Sequence, residues 1–234
     1  PHFEKMLYDN AQIMDLLISA WADTKNPIYR TRIQETADWI VREMVTPAGG
    51  IASTIDADSE GVEGKFYVWS KHEIDQHLGV DAEIFAGAYD VSEHGNWEGV
   101  NILNRSQTTE SQTEDQEAIL EKSRTILLKE RAKRTPPGWD DKILTDWNGL
   151  AIYSLAQAGA IFDRPDWKTA AINAFEFIQS SLSDGNRLFH NWRNAQRGDM
   201  ATLEDYAFMI RAAIKLYETT SADHYITQAE NWID

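Results

Sequence analysis

Apolar residues recur at helical spacing in three stretches of this chain, and each stretch is followed by a second with a narrower apolar stripe. Residues 3–23 carry Met6, Leu7, Ile13, Met14, Leu16, Leu17, Ile18 and Trp21 around the whole circumference of a helix, the pattern of a buried helix. Beyond Pro27, the positions Ile33, Ala37, Ile40 and Met44 give the single stripe of a half-exposed partner. The couplet returns at 145–162 and 166–182, where Ala171, Ala174, Phe175, Ile178 and Leu182 form the second stripe. It begins again at Thr202, with Leu203, Tyr206, Ile210, Ala213, Ile214 and Tyr217, and its partner starts near Ala222. The pattern predicts inner helices near 3–23, 145–162 and 202–219, each paired with an outer helix across a short connection. Repeated helical hairpins stack into a solenoid or close into a ring.

The stretch 50–105 breaks this rhythm. It is Gly-rich, and Phe66-Tyr67-Val68-Trp69 leans toward a β-hairpin. Short helices are expected at 71–78 and 81–89, then an irregular loop from Gly95 to Leu103. A mobile Ser/Thr/Gln-rich stretch is expected at 106–116, and a charged helix at 114–134 that Pro136-Pro137-Gly138 breaks. Gly185-Asn186 beside Leu188-Phe189-His190-Asn191-Trp192 predicts a second small hairpin. The expectation is an all-α fold, a partial α/α toroid of helical hairpins with a small β-hairpin insertion, in a single domain over 1–234.

Charge narrows the function. The chain has 22 Lys and Arg against 38 Asp and Glu, a net of −16, which repels phosphate backbones and anionic membranes. The expectation is no nucleic-acid partner and no membrane. There are no cysteines, so disulfides, zinc–thiolate sites and thiol catalysis are excluded within these residues. No apolar run approaches the ~20 residues that span a bilayer. The chain opens at Pro1 without a Met and reads as a piece of something longer; a cytoplasmic location is the weak default.

Five motifs occur in order. They are Pro1-His2-Phe3-Glu4-Lys5-Met6-Leu7-Tyr8-Asp9, Asp56-Ala57-Asp58-Ser59-Glu60-Gly61 with Gly64-Lys65-Phe66-Tyr67-Val68-Trp69, and Gly95-Asn96-Trp97-Glu98-Gly99 with Asn101-Ile102-Leu103. Then come Asp140-Asp141-Lys142-Ile143-Leu144-Thr145-Asp146-Trp147-Asn148-Gly149-Leu150 and Leu203-Glu204-Asp205-Tyr206-Ala207. Together they resemble the spermatogenesis-associated, thioredoxin-domain-containing protein family. The resemblance implies an α/α toroid similar to six-hairpin glycosidases and N-acylglucosamine 2-epimerases, of which this chain would span about half, without the family's thioredoxin-like domain. A half-ring would expose an apolar edge and self-associate.

The matched segments fall at the starts of candidate inner helices or in loops beside them, where a toroid has its funnel. Asp58, Asp141 and Asp205 are the candidate catalytic carboxylates. His2, Asp56, Trp97, Lys142, Trp147, Asn148, Glu204 and Tyr206 are the candidate ligand-binding residues. Two carboxyls about 5–10 Å apart would serve glycoside hydrolysis. An epimerase would need a histidine acid/base, for which His2, His94 and His190 are candidates. Simpler roles compete. Thr202-Leu203-Glu204-Asp205 is a capping-box pattern, Asp146 suits a helix dipole, and Lys142 can pair with Asp140 or Asp141. Asp56-Ala57-Asp58-Ser59-Glu60-Gly61 imitates the opening of a calcium loop, but position 12 is Tyr67 and not the bidentate Glu. No metal and no cofactor is expected. The expected function is glycosidase-like or epimerase-like handling of a small sugar; the alternative is a non-catalytic scaffold working with a thioredoxin-like domain.

Overall fold

The computed structural model describes residues 3–106 and 113–233. Its helices are α1 Leu7–Thr24, α2 Pro27–Trp39, α3 Lys71–Leu78, α4 Ala82–Tyr89, α5 Glu114–Arg131, α6 Thr145–Ile161, α7 Pro165–Ser181, α8 Leu203–Thr220 and α9 Asp223–Ile233. The expected all-α class, the hairpin couplets and the small strand pairs are borne out. No helix among the described residues is long and apolar enough to cross a membrane.

Backbone contacts gather the chain into two compact units. The larger comprises Lys5–Ile55 and the chain from Trp139 onward. Here α6 packs between α1 and α8, and each of these inner helices carries an outer partner: α2 on α1, α7 on α6, α9 on α8. The reason is in the side chains. On α6 nearly every position is buried, so it can only sit in the middle. On α7 the buried residues, Trp167, Ala170, Ala171, Ala174, Phe175, Phe177 and Ile178, share one side of the helix. Each large side chain buried here contributes about 1.5–3 kcal/mol. Asn26 caps α2 by accepting the Ile28 N–H at 3.0 Å, and Pro27 sits at the first helical position. Asp38 ties α2 to α7, accepting the Trp167 indole N–H at 2.8 Å and an Arg164 N–H at 2.6 Å. Gly149 sets how closely α6 and α8 approach: a Cβ there would lie 2.7 Å from the Phe208 carbonyl carbon.

Most of the 3–23 stretch expected as helix is helical, but its start is not. Lys5–Met6 pairs antiparallel with Thr54–Ile55, which pairs in turn with Trp139–Asp140. A second three-stranded ribbon joins Ile143–Leu144, Asn191–Arg193 and Gln196–Arg197, and Ser183–Asp184 pairs with Arg187–Leu188. The second hairpin thus lies where the sequence puts it.

The smaller unit comprises Asp56–Gly138 with Phe3 and Glu4. Its core is Trp69, Ile74, Leu78, Phe85, Leu120 and Leu127, from α3, α4 and α5. Ser70 and Glu73 cap α3 reciprocally, as Thr113 and Gln116 cap α5. The expected hairpin at Phe66–Trp69 is corrected. Arg134 donates to the carbonyls of Phe66 and Val68 at 3.1 and 2.7 Å, so a strand's acceptors are already taken. That run contributes a single bridge, Trp69 to Asn101. The hairpin comes earlier, Asp58–Ser59 against Val62–Glu63. Its two-residue turn holds Glu60 and Gly61 at φ +53° and +75°, the left-handed pair of a type I′ turn, in which glycine is favoured. Most of the stretch expected to be mobile lies outside the described residues.

Candidate functional site

In the larger unit the starts of α6 and α8 meet in a buried polar network. The capping pattern Thr202-Leu203-Glu204-Asp205 brings Asp205 into the first turn of α8. The Asp205 carboxylate is fully buried. One oxygen accepts the Thr202 N–H at 2.7 Å and the Thr202 hydroxyl at 3.1 Å. The other accepts the backbone N–H of Asp146, at the start of α6, at 2.9 Å. Both lie 3.0 Å from His190 Nδ1.

The backbone fixes His190 at this spot. Leu144 pairs with Asn191 in the strand register, the Thr145 N–H donates to the His190 carbonyl at 2.9 Å, and the His190 backbone N–H donates to the Asp199 carbonyl at 2.8 Å. The Thr145 hydroxyl donates to the Phe189 carbonyl at 2.6 Å. An ionised carboxylate only accepts, so this contact places a proton on Nδ1, and in the neutral ring Nε2 is then the nitrogen with the lone pair. The His190 side chain is 28% exposed, whereas Asp205 beneath it is sealed. A base oriented by a buried carboxylate is a recognised arrangement for proton transfer.

Asp146 is the third member. Its carboxylate accepts the Trp147 N–H at 2.8 Å. Burial pushes its pKa above the ordinary aspartate value; the Asp205 charge adds to this, and the Trp147 N–H and His190 oppose it. Ligating atoms of Asp146, His190 and Asp205 lie within 4.8 Å of one another, close enough to raise the question of a metal. The donor set does not fit one. Asp205 already accepts three N–H groups and a hydroxyl, so no lone pair is turned toward a cation. The group is a hydrogen-bond network.

The other candidate residues separate. Asp141 is half-buried and bound to Arg193 at 2.9 Å, and Lys142 pairs with Asp140 at 3.3 Å. Burial alone would raise Asp140, but the Lys142 N–H and ammonium and Arg193 outweigh it and hold the carboxyl low. Trp147 is partly exposed and packs on Tyr8, ring centroids 4.8 Å apart. Asn148 is fully buried, and its amide clamps Ile51 through the N–H and carbonyl, both at 2.9 Å, and also donates to Leu144. The Tyr206 hydroxyl accepts the Leu188 N–H at 3.1 Å, and Glu204 is exposed on the first turn of α8.

Asp56, Asp58, Trp97 and His94 belong to the smaller unit. Asp56 and Asp58 are exposed, and Asp56 takes the Asp58 N–H at 3.2 Å in a local turn. Ser59, the third oxygen of the calcium-like run, is buried and donates to the Thr135 carbonyl at 2.6 Å. Trp97 packs edge-on against Phe3, centroids 5.2 Å apart. His2 lies outside the described residues.

Two members of this network are visible in the sequence. His190 stands there as one epimerase candidate of three, and Asp146 as a helix-dipole residue. Nothing in the sequence signals that Asp205 reaches both, because the contacts span 15 and 59 positions.

No family model matches the chain. Curated relatives do. An uncharacterised protein of Caenorhabditis elegans is 28% identical over 98% of this chain and 37% of its own length. Spermatogenesis-associated protein 20 of Rattus norvegicus is 28% identical and that of Homo sapiens 27%, each over 98% of this chain. These matches bear out the resemblance carried by the five motifs. The chain spans about a third of the length of these relatives, at 37%, 34% and 35%. Among solved structures, a D-mannose isomerase is similar at 13% identity and a TM-score of 0.41, over 99% of this chain and 58% of that one. A GH76 α-mannanase of Bacteroides thetaiotaomicron is similar at 14% and 0.39, over 98% and 60%. At these scores the likeness carries no argument about this chain.

Proposed function

We propose that this chain, a relative of the spermatogenesis-associated protein 20 proteins, carries an acid–base site for a carbohydrate. The reaction class is isomerase- or epimerase-like, proton transfer at a carbon next to a carbonyl. The observation that carries the reading is the pair His190–Asp205, in which both carboxylate oxygens hold Nδ1 and leave Nε2 free. In this reading Nε2 removes the proton from the carbon beside the carbonyl of an open-chain sugar, the electron pair moves onto the carbonyl oxygen as an enediol forms, the proton on Nε2 exchanges with solvent, and Nε2 returns a proton to carbon 1 or carbon 2 as the oxygen gives its own back. Asp146, which holds its proton to higher pH than an ordinary aspartate, suits the donor to that oxygen. Trp147 and Tyr8 supply aromatic surface near the same helix start. Hydrolysis by two carboxylates fits less well, because Asp205 is fully buried and cannot touch a glycosidic bond.

One observation favours a second reading, a structural brace without catalysis: Asp205 accepts four donors, as a buried helix cap would. The test separates the two. The chain is incubated in D2O with mannose, glucose and N-acetylglucosamine, and deuterium at carbon 2 is followed by proton NMR. The expected outcome is exchange on at least one sugar, lost in His190→Asn while the melting temperature holds. No exchange on any of them leaves the brace.

A further inference from the structure

A separate groove of about 710 Å³ lies in the larger unit, between the outer face of α7, the turn 47–49 and Trp192. Asn173, Glu176 and Ser180 stand at i, i+3 and i+7 on α7 and all reach the surface, so the helical period sets them in one polar row. Phe177, within the same row, is buried and meets Trp192 edge-on, ring centroids 5.1 Å apart and planes at 90°. The indole is thus held in place while remaining partly exposed to the groove.

The chemistry of this lining is selective. Glu176 is its one charged residue among the described residues, and it makes no ion pair there. The Asn173 amide and the Glu176 carboxylate also make no hydrogen bond among the described residues. An unpaired carboxylate repels phosphates, sulfates and uronic acids. A flat indole receives the C–H face of a pyranose ring, while an amide and a carboxylate one turn apart match adjacent ring hydroxyls.

We propose that this groove is a binding site for a neutral carbohydrate, with Trp192 as the stacking platform and Asn173 and Glu176 as the hydroxyl-reading pair. It is distinct from the His190 network and does not depend on that network being catalytic.

The test is isothermal titration of the full chain with cellohexaose, mannohexaose and maltohexaose, and with inorganic phosphate and glucuronate as anionic controls. Saturable binding of at least one neutral oligosaccharide, and of neither anion, is expected. Trp192→Ala should weaken it about tenfold or more, the loss of one aromatic partner. Asn173→Ala with Glu176→Gln, both at surface helix positions, should weaken it without altering the melting temperature, which keeps the test sound if Trp192→Ala unfolds. His190→Asn should leave the affinity unchanged. The proposal is overturned if no neutral oligosaccharide binds by tens of millimolar, if the α7 double variant binds as tightly as the parent, or if His190→Asn abolishes binding. The deuterium-exchange result is independent of each of these outcomes.

Discussion

Asp205 holds His190 symmetrically, each carboxylate oxygen 3.0 Å from Nδ1, while being itself fully buried. The same two oxygens cap α8 and accept the Asp146 N–H in the first turn of α6. Orientation of a base and joining of two helices therefore rest on one side chain.

Asp205→Ala should destabilise the chain by ~3 kcal/mol, because four donors lose their acceptor, the Asp146 N–H among them in a fully buried position. Urea unfolding measures this. A loss under ~1 kcal/mol would mean that the donors find other partners and that the network is not a brace.

Asp146 gives a pH signature. Its folded pKa is raised, so the folded state binds this proton more readily than the unfolded state, and stability falls as pH rises from the ordinary value of 3.8 through the raised one. An asparagine at this position would not titrate and keeps an oxygen for the Trp147 N–H. Asp146→Asn should therefore gain stability relative to the parent as pH rises through that window, with the difference constant above it. Melting temperatures of both proteins across acidic and neutral buffers check this; a variant that loses stability relative to the parent as pH rises contradicts it.

Asn148 separates a brace from a ligand contact. Asn148→Ala leaves the buried Ile51 N–H and carbonyl without partners and should cost ~2–4 kcal/mol. Equilibrium denaturation with full retention of any sugar binding per folded molecule is the expected result. Unchanged stability with lost binding would make Asn148 a ligand residue instead.

The hairpin couplets were legible because they follow from periodicity: α6 is apolar all round and must be central, and α7 carries one stripe and must be outer. The first turn expected at 3–6 was not, since Lys5–Met6 is claimed by Thr54–Ile55, a partner strand far along the chain. The hairpin expected at Phe66–Trp69 failed for a similar cause. Its β-leaning side chains are used by Arg131, whose guanidinium lies 5.1 and 5.3 Å from the rings of Phe66 and Tyr67, and its carbonyls by Arg134. At the site, partners close in sequence were legible, Thr202 with Asp205 and Lys142 with Asp140, and distant ones were not. Of the two partners the sequence offers Lys142, Asp140 and Asp141, it takes Asp140, while Asp141 is held by Arg193, 52 positions away.

Gly149 sits in the Thr145-Asp146-Trp147-Asn148-Gly149 run and invites a functional reading, but its surroundings assign it to packing. A Cβ would lie 2.7 Å from the Phe208 carbonyl carbon, 2.8 Å from the Phe208 Cβ and 3.0 Å from the Met209 nitrogen. Two of these atoms are backbone and cannot swing aside, so Gly149→Ala must push α8 away from α6. Alanine's better helix propensity returns at most ~1 kcal/mol. Overpacking at a helix contact costs ~1–3 kcal/mol or more, so the net effect should be destabilising. The shift would also move Asp205 relative to the Asp146 N–H, so any deuterium exchange at carbon 2 should fall along with stability. Thermal unfolding and the exchange assay on one preparation test both halves. A Gly149→Ala protein as stable as the parent would show that the α6–α8 spacing has slack, and that Asp205 holds the two helix starts together unaided.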